Sequence, residues 1–593
     1  MTTTNREKQI AEAEELLGDR LATVGFAKGL FFGRFLGNKL LAYPDLEHDG
    51  DTTRRVDELR TFCREKIDPV AIDRDAVIPQ DVIDGLGRLG MLGACLPNSC
   101  GGLGLTQTAY CQLLEVLGGH CASTALFVNA HHSIGPRAIV LFGTAEQQAK
   151  WLPNLASGRW ISAFALTEPQ AGSDAANVQA SATPTPDGRG FVLNGEKRWI
   201  TNGSLAQVLT VMARTPVPGT SETKITAFIV TPDMPGFQVT EARMPKCGVR
   251  GTATSRLAFR EMFVPRENIL GQLGKGLKVA LTVLDFGRTT FGATCTGAAK
   301  FCAERAAKHA ATRIQFGQPI GQFDLVKEKL AYMNAGIFAT EAATYMTAAL
   351  IDSGHDDYML ETAMLKVFAT DTLWRIVNDT IQIFGGKAYF TDEPYERMMR
   401  DARINMIGEG ANDVLRAFVA LVGMRDVGLE LQSVLAAFKR PMKHIGKLSD
   451  FVGRRVESLF RPPEVSVAHS ELEHDAQRLG KLVAKFSSNV ERLLRAYREE
   501  IVDREYQLGR IGEAAIELYA SACVLRRLDA VLGRQDHNSP LSANSDSSRK
   551  RDLIVGRHYL LTAERRINSQ LSALWDNDDH STTTTADLLF GTP

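Results

Sequence analysis

Apolar residues recur three and four positions apart from Arg55 to about Trp160, as in VDELRTFCREKI and AEQQAKWLPNLA. That is the period of helices with one buried face. Pro79 followed by QDVIDGLGRLG predicts a helix start with proline in its first turn. Between about Ile161 and Leu270 the texture changes. ISAFAL, GFVLNGEKRWITNG, VLTVMAR, KITAFIV and RLAFREMFVP are short apolar or alternating runs, several separated by Pro-Asp-Gly or Asn-Gly turns. They predict a β domain inside a helical protein. Long helical patterns return at Gly276, with a break expected near Gly287. DLVKEKLAYMNAGIFATEAATYMTAALID and TLWRIVNDTIQIFGG follow, the second ended by glycine. After Arg425, GKLVAKFSSNVERLLRAYREEI and AAIELYASACVLRRLDAVL predict a further helical unit. HNSPLSANSDSSRKRD, from His537, reads as a polar linker, and the tail DNDDHSTTTTADLLFGTP as a mobile end.

The expected architecture is mainly α with a central β domain. Its parts are an N-terminal extension over 1–54, a helical domain over 55–160 and a β domain over 161–275. A helical bundle over 276–425 and a C-terminal helical domain over 426–593 complete it. The 593 residues are 44% hydrophobic and 23% charged, which excludes a fibrous or largely disordered chain. Lys and Arg number 68 against 69 Asp and Glu, so no basic field recommends nucleic acid as a partner. Nine cysteines, Cys63 to Cys523, form no C-x-x-C pair and point to a reduced compartment. Glu7, Glu12, Glu14 and Glu15 are foreign to secretory signals and mitochondrial presequences, so no transit peptide is read and a cytoplasmic location is expected. Gly25 to Leu41 is broken by Lys28, Arg34 and Lys39, and no run of about 18 apolar residues predicts a spanning helix.

Some motifs mislead. Gly85 to Gly90 spell G-x-G-x-x-G, but inside a helical pattern and without a βαβ unit. GQLGKGLK lacks the ending of a phosphate loop, and His131, His132, His469 and His474 lack a ligand set, so no metal is expected. Two other stretches carry more. FALTEPQAGSD, Phe164 to Asp174, offers backbone amides, hydroxyls and a glycine that permits close approach. RWITNG, Arg198 to Gly203, sets a large aromatic beside a hydroxyl. A planar polar ring with a phosphate tail could use both.

These two stretches resemble the flavin-binding signatures of the acyl-CoA dehydrogenase family. ATRIQFGQPIGQFDLVKEKLA, IQIFGGKAYF and RDARINMIGEGANDVLRAFVAL are similar too, in the family's order, over about residues 55–425. The extra C-terminal unit and GFAKGLFFGRF resemble the very-long-chain branch. The resemblance implies an N-terminal helical domain, a β-barrel-like middle domain, a helical bundle and an added C-terminal helical domain. It implies FAD, with Phe164, Ala165, Leu166 and Thr167 along the flavin and Gly172 and Ser173 near the pyrophosphate. Ser173 is also expected near acyl-CoA. Trp199 and Ile200 would pack on the isoalloxazine, with Thr201 near N5. Arg313, Gln315 and Phe316, with Gln382, Gly385 and Gly386, match segments that touch a neighbouring subunit's FAD, hence a homodimer. Ala411 and Asp413 match cofactor contacts; Asp285, Arg288 and Gly410 match the thioester pocket.

Glu409 matches the catalytic base. Desaturation of an acyl-CoA to a trans-2-enoyl-CoA, the reaction of fatty acid β-oxidation, removes an α-proton and a β-hydride. The α C–H becomes acidic when the thioester carbonyl is polarised, in the family by the flavin ribityl chain and the base's own N–H. A carboxylate in a dry pocket has its pKa raised toward the working pH. Electron-transferring flavoprotein is the implied acceptor. The chain departs from the pattern at Gly408, where an aromatic is usual, at Ala411, where Thr or Ser is usual, and at Lys387-Ala388. An acyl-CoA oxidase, or a low-turnover assembly or scaffold relative, are the alternative readings. Ala122 to Ala125 either deepen an acyl cavity or pack a helix. The basic, apolar-studded run from Ala437 to Arg461 suits peripheral contact with an anionic membrane at its inner face, or packing on a neighbouring domain.

Overall fold

The computed structural model describes residues 24–46, 49–355, 357–438, 462–533 and 543–591. Among the described residues a short helix α1 (Phe26–Phe31) comes first. Seven more precede the sheet: α2 (Gly50–Lys66), α3 (Pro69–Asp75), α4 (Gln80–Arg88), α5 (Gln107–His120), α6 (Ala122–His132), α7 (Gly135–Phe142) and α8 (Ala145–Ala156). Pro79 stands just before α4, and Gly90, at φ +76, ends the turn that follows it. The glycine motif therefore closes a helix instead of opening one on a nucleotide.

The β domain is an eight-stranded sheet: β1 (Ser162–Ala165), β2 (Ser181–Pro184), β3 (Gly190–Thr201), β4 (Val208–Pro216), β5 (Thr223–Val230), β6 (Phe237–Glu241), β7 (Thr254–Pro265) and β8 (Ile269–Leu270). The order is β6-β7-β3-β2-β4-β5-β8, with β1 parallel on β4. The antiparallel β3–β7 ladder slips twice, between Leu193 and Gly195 and between Lys197 and Ile200. The second slip is a bulge, the device by which a strand turns a side chain out of its regular alternation.

The bundle is built from α9 (Gly276–Thr312), α10 (Asp324–Asp352), α11 (Met359–Phe384), α12 (Tyr395–Arg403) and α13 (Asn412–Phe438). A hairpin of β9 (Ile314–Gln315) and β10 (Gln318–Pro319) follows α9. The expected break near Gly287 is absent: α9 runs unbroken for 37 residues, because packing on α5 and α11 outweighs the glycine's weak helix preference. The C-terminal helices are α14 (Glu473–Tyr497), α15 (Glu505–Gly533), α16 (Ala543–Ala573) and α17 (Asp579–Asp587). Helices α14, α15 and α16 share one apolar core with the bundle. Two sequence expectations change here. Residues from 543 onward, expected in a linker, form the first turns of α16. The tail is a helix, because Asp579 at its start accepts from Arg510 Nη1 (2.8 Å) and Gln507 Nε2 (3.0 Å). Both anchors are about 70 positions away in sequence, beyond the reach of a local pattern.

Helix α1 plugs into this core. Phe26, Ala27, Leu30 and Phe31 are buried, with Phe31 edge-on to Phe486 at 5.0 Å and Phe26 6.3 Å from Tyr519. The Ala27 N–H donates to Glu361 (2.8 Å) and Lys28 pairs with Asp357 (2.5 Å).

Candidate active site

The β3 bulge creates the first half of the site. Trp199 sits there at φ +59, 53% exposed, with the Arg198 guanidinium 4.8 Å over its ring. Ile200 returns to the core and Thr201 is half-buried. The Phe164–Asp174 stretch is tied to this bulge by a buried pair. Lys197 donates to Glu168 (2.7 Å) and to the Leu166 carbonyl (2.9 Å). Glu168 also accepts from the N–H groups of Gln179 (2.6 Å) and Ala180 (3.0 Å), and Arg198 N–H donates to the Thr167 carbonyl (2.9 Å). Burial pushes Lys197 down to about 8, against the pull of Glu168. Phe164 and Ala165 are buried, Leu166 and Thr167 half-buried, and Gly172 and Ser173 exposed. A Cβ on Gly172 would meet nothing within 4 Å. The Lys197–Glu168 tie was not foreseen; its only local signal is a lysine on the buried phase of a strand.

The second half is the loop between α12 and α13. Glu409 lies at φ +56 and Gly410 at φ +103. Gly408, expected to add freedom, has no positive φ, and a Cβ there would meet only the Ile404 carbonyl at 3.6 Å. The freedom is used one residue later. Arg288 Nε donates to the Glu409 carbonyl (3.3 Å), and Arg288 pairs with Asp285 (3.3 Å). Asp285 is fully buried and also accepts from Thr362 (3.0 Å), so it bears on the pocket through Arg288. Asn129 Nδ2 donates to Glu409 Oε1 at 3.4 Å, while Oε2 is shut from solvent with no partner among the described residues. Glu409 as a residue is half-buried, but that oxygen is not. Burial pushes its pKa up to about 7, with Arg288 and Lys366 pulling back. Gly287 makes room: a Cβ there would stand 2.2 Å from Oε2.

Helix α6 joins the halves. The Phe127 carbonyl accepts from Asn202, which follows the bulge, at 3.1 Å, and two residues on Asn129 donates to Glu409. A cleft opens beside Asn129, between α6, α9, α11 and α12. Ala122, Ser123 and Ala125 line it, whereas Thr124 is buried off it on Cys121. Phe291, Thr294, Ala298 and Phe301 line its α9 wall, a span of about 15 Å at helical rise.

The other expected cofactor residues lie elsewhere. Arg313, Gln315 and Phe316 are exposed, Phe316 to 94% and at φ +51. Gln382, Gly385 and Gly386 are exposed at the end of α11, and His309 stacks on Phe384 at 4.1 Å, joining both segments in one patch. That patch is about 36 Å along α9 from Arg288, too far to border the same cleft. Ala411 is half-buried at the start of α13, and Asp413 points to solvent beside Arg416 (3.5 Å). His131, once a metal suspect, is buried and accepts from the Ser162 N–H (3.0 Å).

The residues present fit a flavin: an exposed indole on a bulge, a glycine with open space and, among the described residues, unpartnered buried polar atoms at Arg198 Nε, Asn202 Oδ1 and Glu409 Oε2 suit a planar polar ligand.

Comparison with known proteins agrees. Family models of the N-terminal, middle and C-terminal domains of acyl-CoA dehydrogenases match residues 51–159, 163–262 and 274–423. The ACAD9/ACADV C-terminal domain matches 470–587. The mitochondrial very-long-chain specific acyl-CoA dehydrogenase of Rattus norvegicus is 37% identical over 86% of this chain and 79% of its own. A probable acyl-CoA dehydrogenase, FadE10, of Mycobacterium tuberculosis is 32% identical over 98% of this chain and 90% of its own. A crystal structure of an acyl-CoA dehydrogenase complexed with FAD from Bacillus anthracis superposes with a TM-score of 0.77 at 27% identity, covering 93% of each chain. The chain therefore belongs to the acyl-CoA dehydrogenase family, an FAD-dependent family of enzymes that dehydrogenate fatty acyl-CoA.

Proposed function

We propose that this protein converts long-chain acyl-CoA to trans-2-enoyl-CoA, with Glu409 taking the α-proton. The observation that carries this reading is the Glu409 carboxylate itself: desolvated, with one oxygen unpartnered among the described residues and the other held by Asn129, which lines the cleft. A pKa near 7 lets Glu409 be ionised at neutral pH yet basic enough to accept a proton. Arg288 holds the Glu409 carbonyl, which aims the neighbouring N–H and side chain. The Glu409 N–H has no partner among the described residues and is left to polarise a thioester carbonyl. When bound, FAD supplies the acceptor for the β-hydride at N5. Phe164 to Thr167, Gly172, Ser173, Trp199, Ile200 and Thr201 would hold it, and Gly410 and Ser173 would border the substrate. The α9 wall and the small residues Ala122, Ser123 and Ala125 favour a long chain. The exposed patch of Arg313, Gln315, Phe316, Gln382, Gly385 and Gly386 supports a homodimer in which it meets a second copy's FAD. Electron-transferring flavoprotein is the proposed acceptor; the oxidase reading predicts equal turnover with oxygen alone.

Glu409→Gln should keep FAD and acyl-CoA binding while slowing flavin bleaching by at least about 10²-fold. Near-normal bleaching would remove Glu409 from the mechanism. Anaerobic titration with acyl-CoAs of graded length reads the chain-length preference in the same assay.

Peripheral membrane contact is the second reading. No described helix is long and apolar enough to cross a membrane. Of the basic run Ala437 to Arg461, residues 439–461 lie outside the described residues. What favours it is the neighbouring face. Arg478 with Glu564, Arg557 with Asp475 (3.1 Å) and Lys485 with Asn568 (2.6 Å) hold α14 beside α16. Lys481, Arg551, Ile554, Leu561 and Arg565 point outward from that pair. Basic heads among apolar side chains suit the inner face of an anionic bilayer. Co-sedimentation with anionic vesicles should fall with salt and when Lys439, Arg440, Lys443 and Lys447 become Glu. Equal sedimentation of the charge-reversed protein would clear that run of the role.

A further inference from the structure

Lys366 is fully buried in α11, and among the described residues no carboxylate bonds its ammonium. A buried cation persists only when its donors are satisfied. Here both partners are on residues that follow Glu409. Nζ donates to the Gly410 carbonyl at 2.7 Å and to Asn412 Oδ1 at 2.8 Å. The grip matters because Glu409 and Gly410 both occupy positive φ, and a non-glycine residue stays there only when its surroundings over-determine it. Arg288 holds one carbonyl of this pair and Lys366 the next.

The grip continues outward. Asn412 Nδ2 donates to Asp371 Oδ1 (2.7 Å) and Thr370 Oγ1 (2.9 Å). The other oxygen of Asp371 accepts from Arg416, whose Nε donates to Glu513 Oε2 (2.7 Å) on α15. Helix α15 comes close here: a Cβ on Gly512 would stand 2.3 Å from the Arg416 carbonyl. An unbroken chain of charged and amide groups thus runs from the C-terminal helical domain to the peptide after Glu409.

We infer that Lys366 is a positioning residue for the reaction, clamping the loop that carries Glu409, and that the C-terminal domain keeps this clamp in register through Glu513, Arg416, Asp371 and Asn412. The inference rests on Glu409 being the base. The charged groups around Glu409 are Arg288 and Asp285 on α9, Lys366 and Asp371 on α11 and Arg416 on α13; α6 contributes the neutral Asn129.

The test uses flavinated holoenzyme, anaerobic bleaching by a long-chain acyl-CoA and a pH series through neutrality. Lys366→Met should lower the limiting rate about 10²-fold, the effect expected of a misplaced reacting group, with flavin content and acyl-CoA affinity kept. Its acid limb should move to higher pH, because a cation that favours ionised Glu409 is gone. Lys366→Arg keeps the charge and should leave the limb in place. Glu513→Gln should cost a few-fold in rate, and little more when added to Lys366→Met, since the chain is already cut. A Lys366→Met enzyme with parental rate and limb, or additive losses in the double variant, overturns the inference. If Lys366→Met does not accumulate, Asp371→Asn with Glu513→Gln decides: non-additive losses support the chain, and additive or absent losses overturn it. Glu409→Gln is the control. Should it bleach normally, the base assignment fails; should it be inert while Lys366→Met is normal, only the clamp fails.

Discussion

Around Glu409, Arg288, Lys366, Asn129 and Asn412 are buried or nearly so, and each bonds to another part of the same chain. At the far end of α9, Phe316 is 94% exposed and Gln382, Gly385 and Gly386 stand in solvent. Both regions carry positive-φ residues, Glu409 at +56 and Phe316 at +51. In the first, buried charges hold the strained backbone. In the second, a two-residue hairpin presents a large apolar ring to water, a cost that an added surface would offset. One region is closed by its own chain, and the other is left exposed by it.

The sharpest way to break the closed region is through the space it depends on. Gly287→Ala puts a methyl where Glu409 Oε2 now lies, so bleaching should slow by about 10²-fold with FAD retained. A normal rate would show that the carboxylate works from another position. The next effect is that of pH. With a pKa near 7, Glu409 loses its proton-accepting form on acidification, and the rate should fall about tenfold per unit below that point. On stability the sign is opposite. The folded pKa lies above the ordinary 4.5, so the group's contribution is full below about 4.5 and is lost as pH rises through 7. Glu409→Gln should therefore show a Tm advantage that widens from acid to neutral pH. The smallest effect tests the exposed region. Arg313→Ala should weaken FAD retention and dimerisation together, several-fold, without moving the acid limb. A fully flavinated monomer in sedimentation would refute the shared site.

Legibility follows the same division. FALTEPQAGSD, RWITNG and the Glu409 loop are legible as family motifs because each is a short contiguous stretch. Gly287, Lys366 and Asn129 are not, because each matters through a partner 44 to 280 positions away. The Lys197–Glu168 tie is hidden for the same reason, at 29 positions. Helix periodicity located the bundle but misjudged Gly287 and the ends of the C-terminal unit. There, contacts with distant helices overrule local preference.

The burial of α1 against Phe486 and Tyr519 has a consequence for how the molecule is made. The ribosome emits this apolar plug long before the last parts of its socket, Phe486 and Tyr519. At roughly 5–20 residues per second, nearly 500 residues separate the two by about 25–100 s. During that interval Phe26 and Phe31 lack these two aromatic partners, and the nascent chain carries a partly uncovered apolar segment while the intervening domains are made. A chaperone that shields apolar segments at the tunnel exit should therefore matter more for this protein's yield than for a relative in which the corresponding helix packs onto its immediate neighbours.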